Sequence, residues 1–103
     1  MKPNEFQQER ETLNKLTLEK ADLITKRFFN LDTAAYSDGA LPSKTKEMLG
    51  LVASMVLRCD DCIRYHLDQC YHIGVTDAEI QEVFSIALIV GGSIVIPHLR
   101  RAN

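Results

Sequence analysis

The chain has 103 residues, of which 46% are hydrophobic and 25% charged, and its formal net charge is -2 at pH 7. This size predicts a single domain over residues 1–103, and the composition is that of an ordinary soluble globular protein. Without a surplus of basic residues, nucleic-acid binding is not expected. Residues 1–11 are polar and show no signal-peptide pattern, so we expect a cytoplasmic protein.

The first predicted element is one amphipathic helix from about Phe6 to Leu31. Charged residues separate the apolar positions of this helix, which are Leu13, Leu16, Ile24 and Phe28. The turn signal Asp38-Gly39 and then Pro42 follow, so the helix is expected to end before them.

Two further helices are predicted around the cysteines. The second helix starts at Ser43, interpreted as its N-cap, and continues to about Arg58. The third carries Cys62, His66 and Cys70 at four-residue intervals. These three side chains should therefore lie along one face of that helix.

The last segment is unusually apolar. Gly74 is the predicted stop of the third helix, and Thr76-Asp77-Ala78-Glu79 is typical of a capping box that opens a fourth. Residues 83–99 contain no Asp, Glu, Lys or Arg. Glycines and a proline make this run a poor membrane span, and we expect a buried helix, broken between Gly91 and Pro97, at a subunit interface.

The sequence Cys59-Asp60-Asp61-Cys62 is the main candidate for chemistry. Three cysteines form no closed disulfide framework, and without an export signal such a pair indicates metal binding or redox activity. At a helix start the partial positive charge favours the thiolate, which is the reactive species. One sulfur would attack a peroxide or disulfide, and the other would then resolve the product.

His66 and Glu47 are the candidate proton carriers. His66 follows Cys62 by one helical turn, where an imidazole can take the thiol proton. If the second and third helices form an antiparallel hairpin turning near Arg58, His66 lies about one turn from Glu47, at ~1.5 Å of rise per residue. The order Glu47, His66, Cys62, Cys59 would then form a proton relay.

Several motifs follow one another with a recognisable spacing. They are Gly39-Ala40-Leu41-Pro42, Lys44-Thr45-Lys46-Glu47-Met48-Leu49, Cys59-Asp60-Asp61-Cys62-Ile63, His66 and Gly74-Val75-Thr76-Asp77-Ala78-Glu79-Ile80. Over roughly residues 35–95 the chain resembles the alkylhydroperoxidase D-like, or carboxymuconolactone decarboxylase, family.

The resemblance implies an all-α fold, a small helical bundle that assembles into homo-oligomers, often trimers or hexamers. It also implies thiol-dependent peroxide reduction with four catalytic residues: Cys62, which is oxidised first, Cys59, which resolves it, and His66 and Glu47, which activate them. We expect a thiol or dithiol reductant, a thioredoxin-like or lipoyl protein, and no cofactor, metal or membrane partner.

The chain departs from the family's better-characterised peroxidases at Asp61, where they carry a histidine. Asp60 and Asp61 add negative charge beside the thiols, which should oppose thiolate formation. The decarboxylase members do not rely on this cysteine pair, so decarboxylation is not expected.

Two alternatives remain open. One is a zinc-binding protein using Cys59, Cys62 and His66, with Cys70 or His72 as fourth ligand. The other is a non-catalytic oligomeric module of the same fold. In the main hypothesis Cys70 belongs to the core, and His98, which could reach a neighbouring subunit's site, is not assigned to one.

Overall fold

The structure, a computed structural model, describes residues 3–103, with side chains from Glu5 onward. Within that range all regular secondary structure is helical, which confirms the all-α prediction. The elements are α1 (Pro3–Lys20), α2 (Leu23–Ala35), α3 (Ser43–Val56), α4 (Asp60–His72), α5 (Asp77–Gly91), a 3-10 helix (Ser93–Val95) and α6 (Ile96–Ala102). The described chain divides between Ser37 and Asp38 into two compact units, and the single domain remains a prediction.

The first unit contains two helices where the sequence predicted one. The side chain of Asp22 caps α2 by accepting a hydrogen bond of 2.8 Å from the Thr25 amide. This bonding lowers the pKa of the Asp22 carboxyl. An aspartate favours the N-cap over a helix interior, because its carboxylate satisfies amides that have no partner within the helix. The prediction of one helix from Phe6 to Leu31 was therefore wrong.

The second unit is built around α3, which packs against both α4 and α5, while α6 packs against α4. Its core is a single cluster of apolar side chains. The buried members are Leu51, Met55, Ile63, Leu67, Cys70, Val75, Ile80, Val83, Phe84, Ala87 and Val95. These residues come from α3, α4, α5, the 3-10 helix and the turn before α5, so the core fixes α4 relative to its neighbours.

The caps of these helices are mostly those that the sequence predicted. Thr76 and Glu79 form the capping box of α5 through hydrogen bonds of 3.2 Å and 2.9 Å, and Gly74, with φ +93°, follows the end of α4. The N-cap of α3 is Pro42, however, and the Ser43 amide donates to the carboxylate of Asp38 at 2.6 Å. The assignment of Ser43 as N-cap was wrong because Asp38 supplies the acceptor.

The apolar C-terminal run breaks where the sequence predicted, between α5 and α6. Gly92 there has φ +82°, a value that side chains with a Cβ rarely adopt. One side of α5 joins the core, whereas the other exposes a row of large apolar side chains that the 3-10 helix extends. Its members are Ile86, Ile89, Val90 and Ile94.

Among the helices of residues 3–103, none combines the length and the apolar character that crossing a membrane requires.

Candidate active site

The two cysteines of the Cys-x-x-Cys motif lie at the first turn of α4. Cys59 is the N-cap of the helix, and its sulfur accepts a hydrogen bond of 3.3 Å from the Cys62 amide. The two residues form a disulfide, with their Cα atoms 5.2 Å apart. Cys62 is exposed and Cys59 is half-buried. Of the two sulfur-bearing residues, Cys62 is thus the more accessible to a reagent in solution.

The end of α3 positions Cys59. The Cys59 amide donates to the Ser54 carbonyl at 3.1 Å, and the Arg58 amide donates to the Met55 carbonyl at 3.1 Å. This is the Schellman pattern, which requires a left-handed residue after the helix. Arg58 takes that conformation with φ +59°, although a side chain there costs about 1–2 kcal/mol. The turn closes the α3–α4 hairpin and orients Cys59 at the start of α4.

The hairpin brings Glu47 of α3 and His66 of α4 together. Oε1 of Glu47 lies 3.5 Å from Nδ1 of His66. Both residues are buried, with exposed fractions of 5% and 8%. The ring of Tyr65 meets that of His66 edge-on, at a centroid distance of 5.1 Å. His66 follows Cys62 by one turn, a spacing at which side chains are neighbours, so a buried acid–base pair is one helical turn from the exposed cysteine.

The third cysteine is part of the core, as predicted. Cys70 is free and fully buried. Burial, together with the negative charge of Glu47, raises the pKa of the Cys70 thiol to about 12. At neutral pH this residue therefore remains a thiol, which is a poor nucleophile.

A charged cluster beside the disulfide was not found by sequence reasoning. The Asp60 carboxylate contacts His98 Nδ1 at 2.8 Å through Oδ1 and accepts a hydrogen bond of 3.1 Å from Arg101 Nε through Oδ2. The His98 hydrogen bond, followed by the hydrogen bond and charge of Arg101, lowers the pKa of Asp60. His98 thus contacts the first turn of α4 in its own chain.

In the described part of the chain, no group of three or more His, Cys, Asp or Glu residues is arranged to hold a metal ion. The disulfide also engages both sulfurs that the zinc alternative requires as thiolate ligands.

A family model for carboxymuconolactone decarboxylases matches residues 23–102, which is most of the chain and includes all of these residues. The chain belongs to the carboxymuconolactone decarboxylase family. Two crystal structures of a Thermotoga maritima protein superpose on it with TM-scores of 0.92 and 0.90. They are 62% and 61% identical to it, and the matches cover 95% of this chain and 86% and 83% of theirs.

The Thermotoga protein is itself a member of the carboxymuconolactone decarboxylase family, and an involvement in an antioxidative response has been suggested for it. A family protein of Legionella pneumophila has a TM-score of 0.77 at 31% identity, over 97% of this chain and 87% of its own.

Curated relatives of the family member include two uncharacterised proteins. One, from Cupriavidus necator, is 34% identical over 59 residues, 57% of this chain. The other, from the cox locus of Paracoccus denitrificans, is 27% identical over 79 residues, 77% of this chain. The matches span 52% of the Cupriavidus protein and 71% of the Paracoccus protein.

Proposed function

We propose that this family member is a thiol-dependent oxidoreductase that reduces peroxides through Cys59 and Cys62. The observation that carries the proposal is their disulfide at the first turn of α4, in which Cys62 is the exposed partner. A helix N-terminus stabilises a thiolate, so the reduced pair would present a reactive sulfur to solvent. The suggested antioxidative involvement of the Thermotoga protein supports the same chemistry.

The oxidative half-reaction consumes one peroxide and two thiols. The Cys62 thiolate attacks the terminal peroxide oxygen and the O–O bond breaks. The leaving group takes a proton: an alkoxide becomes an alcohol, and the hydroxide released from hydrogen peroxide becomes water. Cys62 is left as a sulfenic acid. The Cys59 sulfur then attacks the Cys62 sulfur, forms the disulfide and releases the hydroxyl as water. A disulfide substrate would meet the same attack by Cys62, with a thiolate as the leaving group.

His66 and Glu47 are proposed to carry the proton in this step. A proton on Nδ1 of His66 faces Glu47, which leaves Nε2 as the basic nitrogen of the ring. That nitrogen would accept the Cys62 proton, and the resulting imidazolium would donate it to the alkoxide. The carboxylate of Glu47, 3.5 Å from Nδ1, would stabilise the imidazolium. Because both residues are buried, water weakens this interaction less than it would at the surface.

A second substrate must restore the thiols. A dithiol reductant, a thioredoxin-like or lipoyl protein, would attack the disulfide and leave as its own disulfide, returning two thiols to the enzyme. Neither half-reaction requires Cys70, whose pKa of about 12 keeps it protonated.

We also propose that the protein works as a homo-oligomer, a trimer or hexamer. The exposed apolar row supports this, since Ile89 is 83% and Val90 66% exposed. Contiguous apolar surface of this kind is typical of an interaction site. The single domain and the cytoplasmic location likewise remain predictions.

Turnover by cysteine variants tests the proposed function. Hydrogen peroxide or cumene hydroperoxide loss would be followed with dihydrolipoamide as reductant. Cys62→Ser should abolish catalysis. Cys59→Ser, treated with peroxide in the absence of reductant, should consume one equivalent and retain a sulfenic acid on Cys62 that dimedone traps. Cys70→Ala serves as the matched control with near wild-type turnover. The proposal would be refuted if the wild-type protein consumed peroxide no faster than a Cys59→Ser/Cys62→Ser double variant.

A further inference from the structure

The contact between α6 and the start of α4 joins Asp60 to His98 and to Arg101. These two residues follow Asp60 in the chain by 38 and 41 positions. Asp60 lies at the first position of α4, directly after Cys59. Its carboxylate uses both oxygens, one toward His98 and one toward Arg101. A carboxylate at a helix start is stabilised by the helix dipole without any partner. The helix itself therefore does not account for a two-residue contact from α6.

The three side chains form a closed set of contacts. Nδ1 of His98 lies 2.8 Å from the Asp60 carboxylate and 3.1 Å from Nη2 of Arg101. If Nδ1 carries a proton it donates to the carboxylate, and if it does not it accepts from the guanidinium. Each neutral tautomer therefore makes one of the two hydrogen bonds, to Asp60 when Nδ1 is protonated and from Arg101 when it is not. His98 is the least exposed of the three, with 14% of its side chain accessible, against 50% for Asp60 and 56% for Arg101.

The cluster has an electrostatic consequence for Cys62. Asp60 and Cys62 are two residues apart on a helix, so their side chains point to different sides. Asp60 is nevertheless the first residue of α4, directly after Cys59 and in the same helical turn as Cys62, and a like charge near a thiol raises its pKa. Arg101 places a permanent positive charge beside that carboxylate. The pair presents no net charge to Cys62, whereas Asp60 without Arg101 would present a full negative charge.

We propose, on the basis of the redox function above, that Arg101 and His98 are positioning residues for the Asp60 carboxylate. They hold it toward α6 and offset its charge, so that Cys62 can form a thiolate at neutral pH. From the sequence, the two acidic residues between the cysteines were expected to oppose thiolate formation, and this arrangement reduces that effect. It does so for Asp60, whereas Asp61 is not part of the cluster and keeps its effect.

The test is the rate at which iodoacetamide alkylates Cys62 in the reduced full-length protein, resolved by tandem mass spectrometry and measured from pH 5 to pH 9. Arg101→Gln should slow the reaction at pH 7 by roughly three- to tenfold, as expected of a Cys62 pKa raised by about 0.5–1 unit. Asp60→Asn should not slow it, because the variant removes the charge that Arg101 offsets. The double variant Asp60→Asn/Arg101→Gln presents no net charge at this position, as the wild type does, and should therefore react at about the wild-type rate.

The direction in which each variant changes the alkylation rate distinguishes charge compensation from a purely structural role in holding α6. If the contact only held α6 in place, Asp60→Asn and Arg101→Gln would break it equally and would change the rate in the same direction. That result, or a double variant as slow as Arg101→Gln, would overturn the proposal. His98→Asn, which keeps a hydrogen-bonding group near the Nδ1 position, should restore most of the rate lost in His98→Ala.

Two controls complete the experiment. Arg100→Gln removes a neighbouring exposed charge of α6 and should leave the rate unchanged. The other charged groups of the α3–α4 hairpin are the same in every variant, among them Glu47, Arg58, Asp61, Arg64 and His66. Because alkylation requires no peroxide, a protein that is alkylated as expected but fails to consume peroxide would refute the proposed function and leave this inference standing.

Discussion

Replacing Glu47 by glutamine is the sharpest test of the proton relay. Glutamine has nearly the same size and can still accept a hydrogen bond, but it carries no charge. The variant should therefore fold, bury its side chain between α3 and α4, and lose only the electrostatic stabilisation of a protonated His66.

The structure limits the size of the effect. With Oε1 of Glu47 3.5 Å from Nδ1 of His66, two unit charges attract by about 5 kcal/mol at an effective dielectric constant of about 20. Removing both groups from water offsets part of this attraction. Acid–base catalysis contributes roughly 10²–10⁴-fold, and a hundredfold loss equals about 2.7 kcal/mol, which lies within the limit. We expect a loss of about a hundredfold, because the exposed Cys62 leaves part of the site open to water.

The assay is the pH dependence of Cys62 alkylation in the wild-type protein, Glu47→Gln, His66→Ala and the double variant. Since the two residues are proposed to act in series, the double variant should be little slower than either single variant. Glu82→Gln, the same change at an exposed position of α5, should have no effect. Fully additive losses, or pH profiles identical to that of the wild type, would show that the two residues are neighbours without a relay.

Three further predictions concern stability and assembly. Gly91→Ala should lower the free energy of unfolding by about 1–3 kcal/mol, because the added Cβ would lie 2.5 Å from Cγ2 of the buried Val95; Gly39→Ala, with only an ordinary contact, should cost much less in the same denaturant titration. Ile89→Lys should reduce the mass measured by light scattering, whereas Ile89→Met should not, and a wild-type monomer at all concentrations would contradict the oligomer. Because the folded pKa of Asp60 is lowered, its stabilisation is complete above about pH 4 and is lost as the pH falls through the folded pKa. The difference in unfolding free energy between wild type and Asp60→Asn should therefore shrink between pH 7 and pH 3, and a constant difference would argue against it.

Features that depend on local sequence could be predicted. The capping box at Thr76 and the stop at Gly74 each involve residues only a few positions apart. The side chains of Thr76 and Glu79 favour the first, and the absence of a side chain at Gly74 favours the second. The contact of Glu47 with His66 is less local. It could still be anticipated, because a short connection makes two helices antiparallel neighbours and the helical rise then sets which residues face each other.

Other features could not be predicted in the same way. Apolar residues continue at helical intervals across Asp22, so periodicity concealed the break between α1 and α2, although an aspartate before an apolar helix is itself an N-cap signal. The contact of Asp60 with His98 and Arg101 has no local signal at all. It depends on the direction that α6 takes after Gly92, which the packing of Val95 into the core decides.

The proposed function requires that peroxide oxidise Cys59 and Cys62 and leave Cys70 as a thiol. The most direct measurement adds one equivalent of hydrogen peroxide to the fully reduced protein and counts the remaining thiols at each cysteine by mass spectrometry after alkylation. We expect the loss of two thiols, both in the peptide that contains Cys59 and Cys62, with Cys70 still reduced and one equivalent of peroxide consumed. Oxidation confined to Cys70, or no loss of thiols while peroxide remains, would contradict it.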